Sequence, residues 1–81
     1  MKITVLLFAR AREAAGAARL DLEVDDGSSP SSVFRDISER SRALQQMRDN
    51  LRCAIDQEYA SWDDRLHDGA ELAFISPTAG G

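Results

Sequence analysis

Hydrophobic positions alternate along the two ends of the chain and recur at helical spacing in its middle. Lys2 to Ala9, KITVLLFA, places Ile3, Val5 and Leu7 on one side and Thr4, Leu6 and Phe8 on the other. Its β-branched and large apolar side chains fit a central strand. Both sides become apolar toward its end, so either both are covered internally or one is a docking surface. Ala18 to Val24, ARLDLEV, sets Leu20, Leu22 and Val24 against Arg19, Asp21 and Glu23, a half-buried strand. The intervening ARAREAAGAA reads as the long loop of a hairpin with a small-residue turn at Gly16, and Asp25-Asp26-Gly27 closes the second strand.

A helix follows. Ser29 suits the N-cap, Pro30 the first helical position, and Val33, Phe34 and Ile37 form an apolar face. That face fades at Arg40 to Arg42, and Leu44, Met47 and Leu51 resume it in a new register, which predicts a break and a short second helical segment. Arg52 to Asp56 reads as a short strand, Gln57-Glu58 as a tight connection and Tyr59-Ala60 as a short continuation. Ser61 to Leu66 is irregular, with Trp62 and Leu66 pinning it to the core. His67-Asp68-Gly69 is a turn. Ala70 to Ser76, AELAFIS, is the last strand, with Leu72 and Phe74 on one face and Ala73 and Ile75 on the other. Pro77 ends sheet pairing by removing a donor. The order hairpin, helix, short strands, final strand predicts an α+β, ubiquitin-like β-grasp roll: a mixed sheet with the helix packed on one face and the first and last strands as central neighbours. The domain is expected over 1–76, with 77–81 as a flexible C-terminal Gly-Gly tail.

Composition narrows the function. Eighty-one residues, 43% hydrophobic and 30% charged, suit one soluble domain with a small core. Ile3 to Ala9 is too short to cross a bilayer, and no signal-type cleavage site follows it, so a cytoplasmic protein with no membrane partner is expected. The net charge of −4 and the lack of a basic stripe with interleaved aromatics argue against nucleic acid. From Cys53 onward six acidic residues stand against Arg65 alone, which predicts a basic partner for this end of the molecule, unless the acid is simply a solvated surface. The single cysteine, Cys53, reads as a small buried hydrophobe.

Side-chain chemistry is sparse. No phosphate loop, dinucleotide glycine triplet, nucleophile elbow or zinc-type Cys/His spacing occurs. His67 reads as an exposed turn residue, and Asp63-Asp64 as a solvated turn whose side chains diverge. Asp25-Asp26-Gly27 lacks the further ligands of a calcium loop. By elimination the unusual group is the carboxylate of Gly81. Gly80 and Gly81 can thread a channel too narrow for a Cβ. A carboxylate is a poor acyl electrophile, so another protein carrying the ATP site must activate it. The tail is then a substrate and the chain is not a catalyst on its own.

Three blocks, ITVLLFARARE, LHDGAELAFI and the closing SPTAGG, give the sequence its likeness to a family. It resembles the small, sulfur-carrying subunit of molybdopterin synthase, the MoaD-type branch of the MoaD/ThiS ubiquitin-like group. The resemblance implies that an E1-like enzyme adenylates Gly81 with ATP, while the chain itself binds no cofactor. It also implies that a sulfur donor of cysteine desulfurase or rhodanese type converts the end to a thiocarboxylate. The tail then enters the large synthase subunit, in a heterotetramer, and sulfur passes to cyclic pyranopterin monophosphate to build the dithiolene of molybdopterin. The family's partner face maps to Phe8, Tyr59 and Ile75 with tail residues Pro77, Thr78 and Ala79, and Arg12 matches an arginine near the activating-enzyme interface. Ser76 stands where a proline is common before Pro77, and Asp56 where an asparagine is common. Three other readings stay open: a sulfur carrier for thiamine, cysteine or tRNA thiolation, a ubiquitin-like modifier of lysines, or a β-grasp interaction module with an inert tail. The lone lysine, Lys2, disfavours self-linked chains.

Overall fold

The computed structural model describes residues 1–76. Five strands form one mixed sheet: β1 (Lys2–Leu7), β2 (Arg19–Glu23), β3 (Arg52–Ile55), β4 (Glu58–Ala60) and β5 (Glu71–Ile75), in the order β2-β1-β5-β3-β4. β1 and β5 run parallel at the centre, with Val5 opposite Leu72 and Leu7 opposite Phe74. The remaining pairs are antiparallel. The expected adjacency of the first and last strands is present.

Three helices, α1 (Ala9–Ala15), α2 (Pro30–Ser38) and α3 (Arg42–Gln46), and a 3-10 turn over Arg48–Asn50 complete the fold. α2 starts where its punctuation predicts. Ser29 Oγ accepts from the Ser32 N–H and Ser32 Oγ accepts from the Ser29 N–H, a reciprocal cap with Pro30 just inside it. The expected break separates α2 from α3, whose own cap is Ser41. That hydroxyl also donates to the Ala14 carbonyl, tying α3 to α1.

α1 is a departure from the expected loop. ARAREAA consists mainly of strong helix formers, and Gly16 ends it in the left-handed region at φ 75°, donating its N–H to the Arg12 carbonyl. Seven residues are too few for the 3.6-residue period to register, so the small-residue run reads as a turn. A second difference is smaller: the β3–β4 connection is Asp56-Gln57, both at positive φ as a two-residue hairpin turn requires, one position earlier than Gln57-Glu58.

The core lies between the sheet and the helices. Ile3, Val5, Leu7, Cys53, Leu72 and Phe74 from the sheet meet Val33, Phe34 and Leu44 from the helices, all buried. Trp62 stacks on Phe74 and meets Phe34 edge-on, with centroids 5.5 and 5.4 Å apart, while Leu66 is buried. These two residues pin the 61–66 segment as expected. Among the described residues no helix is long and apolar enough to cross a membrane.

Candidate functional site

Strand alternation that buries Val5, Phe74 and Cys53 sends their neighbours to the opposite face of the sheet, and among the described residues no helix covers that face. One row crosses all five strands there: Arg19, Leu6, Ala73, Ala54 and Tyr59 are successive cross-strand partners. Two alanines between Leu6 and Tyr59 leave a depression, since a cross-strand row is as high as its side chains. The hollow, of about 280 Å³, has Ala54 and Ala73 as its floor, with Leu6, Phe8, Tyr59 and Ile75 around it and Gln57 and Glu71 at one end. Phe8 is 47% and Tyr59 69% exposed, and they are the large hydrophobics that the described residues leave open to solvent. The three residues expected to form the partner face therefore converge on one apolar hollow.

Phe8 reaches it because its backbone is still extended, at φ −122° and ψ 153°, and serves as the N-cap of α1. Ile75 ends β5, and Ser76 continues beside Arg10, Met47, Asn50 and Leu51 in a second hollow of about 230 Å³. Because β5 runs parallel to β1, the chain leaves the sheet at the end where Phe8 sits. Pro77, Thr78, Ala79, Gly80 and Gly81, the expected tail residues of the site, lie outside the described residues. Arg12 is exposed on α1 rather than in a loop, and it does not line the hollow around Phe8 and Tyr59.

A larger hollow, about 620 Å³, lies toward the opposite end of the same sheet, among Lys2, Thr4, Asp21, Glu23 and Gly69. Ile3 and Leu22 also line it, and it brings together none of the expected site residues.

Cys53 is 1% exposed, and its thiol donates to the Ala60 carbonyl at 3.2 Å. Burial, reinforced by the Asp64 charge, pushes its pKa up, which disfavours the nucleophilic thiolate. Among the described residues no three of His, Cys, Asp and Glu are grouped to hold a metal ion.

One polar network escaped the sequence reading. Asp56 Oδ1 accepts from the Glu71 N–H at 3.0 Å, and its own N–H donates to the Glu71 carbonyl at 2.8 Å. Its Oδ2 is hydrogen-bonded to His67 Nε2, and Asp68 Oδ1 accepts from the Lys2 N–H. These bonds join the β3–β4 turn and the 67–69 turn to the starts of β5 and β1. His67 is exposed, as expected, but it is paired. Its hydrogen bonds span 11, 15 and 66 residues of sequence, so no local spacing could have revealed it.

A five-stranded mixed sheet gripping helices on one face, with an apolar hollow on the other beside the departing chain, is a ubiquitin-like β-grasp domain. The chain belongs to the ThiS family, whose model matches residues 5–81. It is 36% identical over 83 residues to the molybdopterin synthase sulfur carrier subunit of Chlamydomonas reinhardtii, covering all of both chains. In fold it is similar to SAMP1 from Haloferax volcanii, at a TM-score of 0.85 and 22% identity over the whole of both chains. It is also similar to a chain in the complex of subunits 1 and 2 of molybdopterin-converting factor from Helicobacter pylori, at 0.69 and 17%, again over the whole of both.

Proposed function

We infer that this chain is the sulfur carrier subunit of molybdopterin synthase. The observation that carries the reading is the convergence of Phe8, Tyr59 and Ile75 on one uncovered face beside the root of the tail, in a chain whose full-length relatives bear that name. A large synthase subunit docks on that face, a reading supported by the two-subunit complex that contains the Helicobacter neighbour. The apolar hollow supplies binding energy without chemistry, and the chemistry belongs to the tail.

The Gly81 carboxylate attacks the α-phosphorus of ATP on an E1-like enzyme, releasing pyrophosphate. The outer sulfur of a donor persulfide then attacks the acyl carbon and AMP leaves; a second thiol cleaves the resulting acyl disulfide, forming a disulfide with the donor cysteine and releasing the thiocarboxylate. Its sulfur is polarizable and ionised at neutral pH, so it attacks a side-chain carbon of cyclic pyranopterin monophosphate and expels the oxygen substituent of that carbon, within a site the large subunit shields from water; a second thiocarboxylated carrier supplies the other sulfur of the dithiolene. Hydrolysis of the resulting thioester bond leaves sulfur on the pterin and restores the Gly81 carboxylate. Cys53, buried with a raised pKa, takes no part in this transfer.

Reconstitution tests the reading. The chain is mixed with the large subunit, the activating enzyme, ATP, a sulfur source and the pterin precursor. Dithiolene formation that is lost when Gly81 is deleted, while the large subunit still binds, is the expected result. A chain that acquires sulfur yet yields no dithiolene with its large subunit belongs instead to another sulfur-transfer route.

A further inference from the structure

Half of the six acidic residues that follow Cys53 in the sequence lie at the end of the sheet away from the tail. Asp56 and Glu71 sit together at the start of β5, and Asp68 lies beside Lys2 at the start of β1. β5 then runs five residues from Glu71 to Ile75, four steps of strand rise or about 13 Å. Two cations stand at that far end. Arg52 is the cross-strand partner of Ile75, on the uncovered face with its guanidinium carbon 6.0 Å from the Tyr59 ring centre. Arg10 shares a hollow with Ser76. Among the described residues neither guanidinium has an acidic partner within 4.0 Å. Folding thus places two cations at the tail root, although the chain from Cys53 onward is strongly acidic.

We propose that Arg10 and Arg52 dock against acidic side chains on the large synthase subunit, at the rim of the opening that receives the tail. The inference rests on the sulfur-carrier reading and adds the charge of the partner's surface. Gly81 is the fifth residue after Ser76, a reach of up to about 17 Å. The Debye length at physiological salt is about 8 Å. An anionic tip and a cationic root at that separation are read independently, so a partner that binds both is basic at the depth of its channel and acidic at its rim. The acid near the start of β5 repels that rim, which disfavours docking with the carrier turned end for end. Attraction at the rim acts on the encounter, before the tail threads, and therefore on the association rate.

The test is stopped-flow association of the full chain with the large subunit across a salt series. The variants are Arg10→Glu with Arg52→Glu, and Arg10→Gln with Arg52→Gln, each checked by thermal melting. Association of the unaltered chain is expected to slow as salt rises. The double Gln variant is slower at low salt, and the double Glu variant slower still, by about tenfold or more. The three rates converge at high salt, with the dissociation rate changed much less. Should folded variants associate as fast as the unaltered chain at low salt, or faster, the acidic rim is wrong while the functional reading stands. If the unaltered chain does not bind the large subunit at all, the functional reading itself fails, and this inference with it.

Discussion

His67 Nε2 is hydrogen-bonded to Oδ2 of Asp56, eleven residues away in sequence, and His67 Nδ1 lies 2.9 Å from the Asp68 carbonyl. Both partners are acceptors, so only the imidazolium, with two N–H groups, satisfies both. The Asp56 hydrogen bond accordingly raises the His67 pKa, with the Asp68 carbonyl second. The Glu71 N–H, and then His67, lower that of Asp56.

The signs give a window. A raised His67 pKa contributes stability that is fully present below about 6.5, its unfolded value, and is lost as pH rises through the folded value. A lowered Asp56 pKa contributes stability present above about 3.9 and lost as pH falls through its folded value. The pair therefore stabilises most between about pH 4 and 6.5. Thermal melts of the unaltered chain and of His67→Gln should differ most near pH 5.5, and the difference should shrink toward pH 9. Equal differences at both pH values would remove the pair from the account.

Phe8 and Tyr59 are exposed in the free chain, so truncating either touches binding and spares folding. Phe8→Ala or Tyr59→Ala should weaken the large-subunit complex by about 1–3 kcal/mol, roughly 5- to 150-fold in Kd, as central aromatic contacts do. Stability should move by about 0.5 kcal/mol or less. Calorimetric titration beside a melting curve separates the two effects.

The uncovered face was half legible in the sequence. Alternation in β1 and β5 placed Leu6, Phe8 and Ile75 opposite the core, and it left open whether that side was covered. What no periodicity could supply was the cross-strand row from Tyr59 through Ala54 and Ala73 to Leu6, because register is a long-range property of four strands. The Asp56–His67 pair and the Arg10–Arg52 placement were hidden for the same reason, and α1 was hidden because it is too short to show a period. Composition could not show how charge is distributed: Asp56, Asp68 and Glu71 gather at the end of the sheet away from the tail, while Arg10 and Arg52 stand at its root.

Gly16 ends α1 at φ 75°, and a Cβ placed there meets no atom within 4 Å. Gly16→Ala should therefore cost about 1 kcal/mol from the left-handed backbone alone, with no clash added. Urea unfolding measures this directly. A cost near zero would mean that the helix end rearranges.

Cys53 should resist alkylation in the folded chain at neutral pH and react quickly in denaturant, since its thiol is buried and its pKa raised. Cys53→Ala should lower stability by about 1 kcal/mol and leave sulfur transfer intact. Loss of transfer in a folded Cys53→Ala chain would put the sulfur on the wrong group in this account.

The central claim is that sulfur rides on Gly81, and mass spectrometry of one peptide tests it most directly. After incubation with host lysate, ATP and cysteine, trypsin releases Leu66 to Gly81, which contains neither Met nor Cys, so oxidation of those side chains cannot imitate the exchange of oxygen for sulfur. The account predicts that the sulfur increment maps to Gly81 and disappears when ATP is withheld. A peptide that stays unmodified while a known sulfur carrier in the same lysate gains sulfur would contradict it.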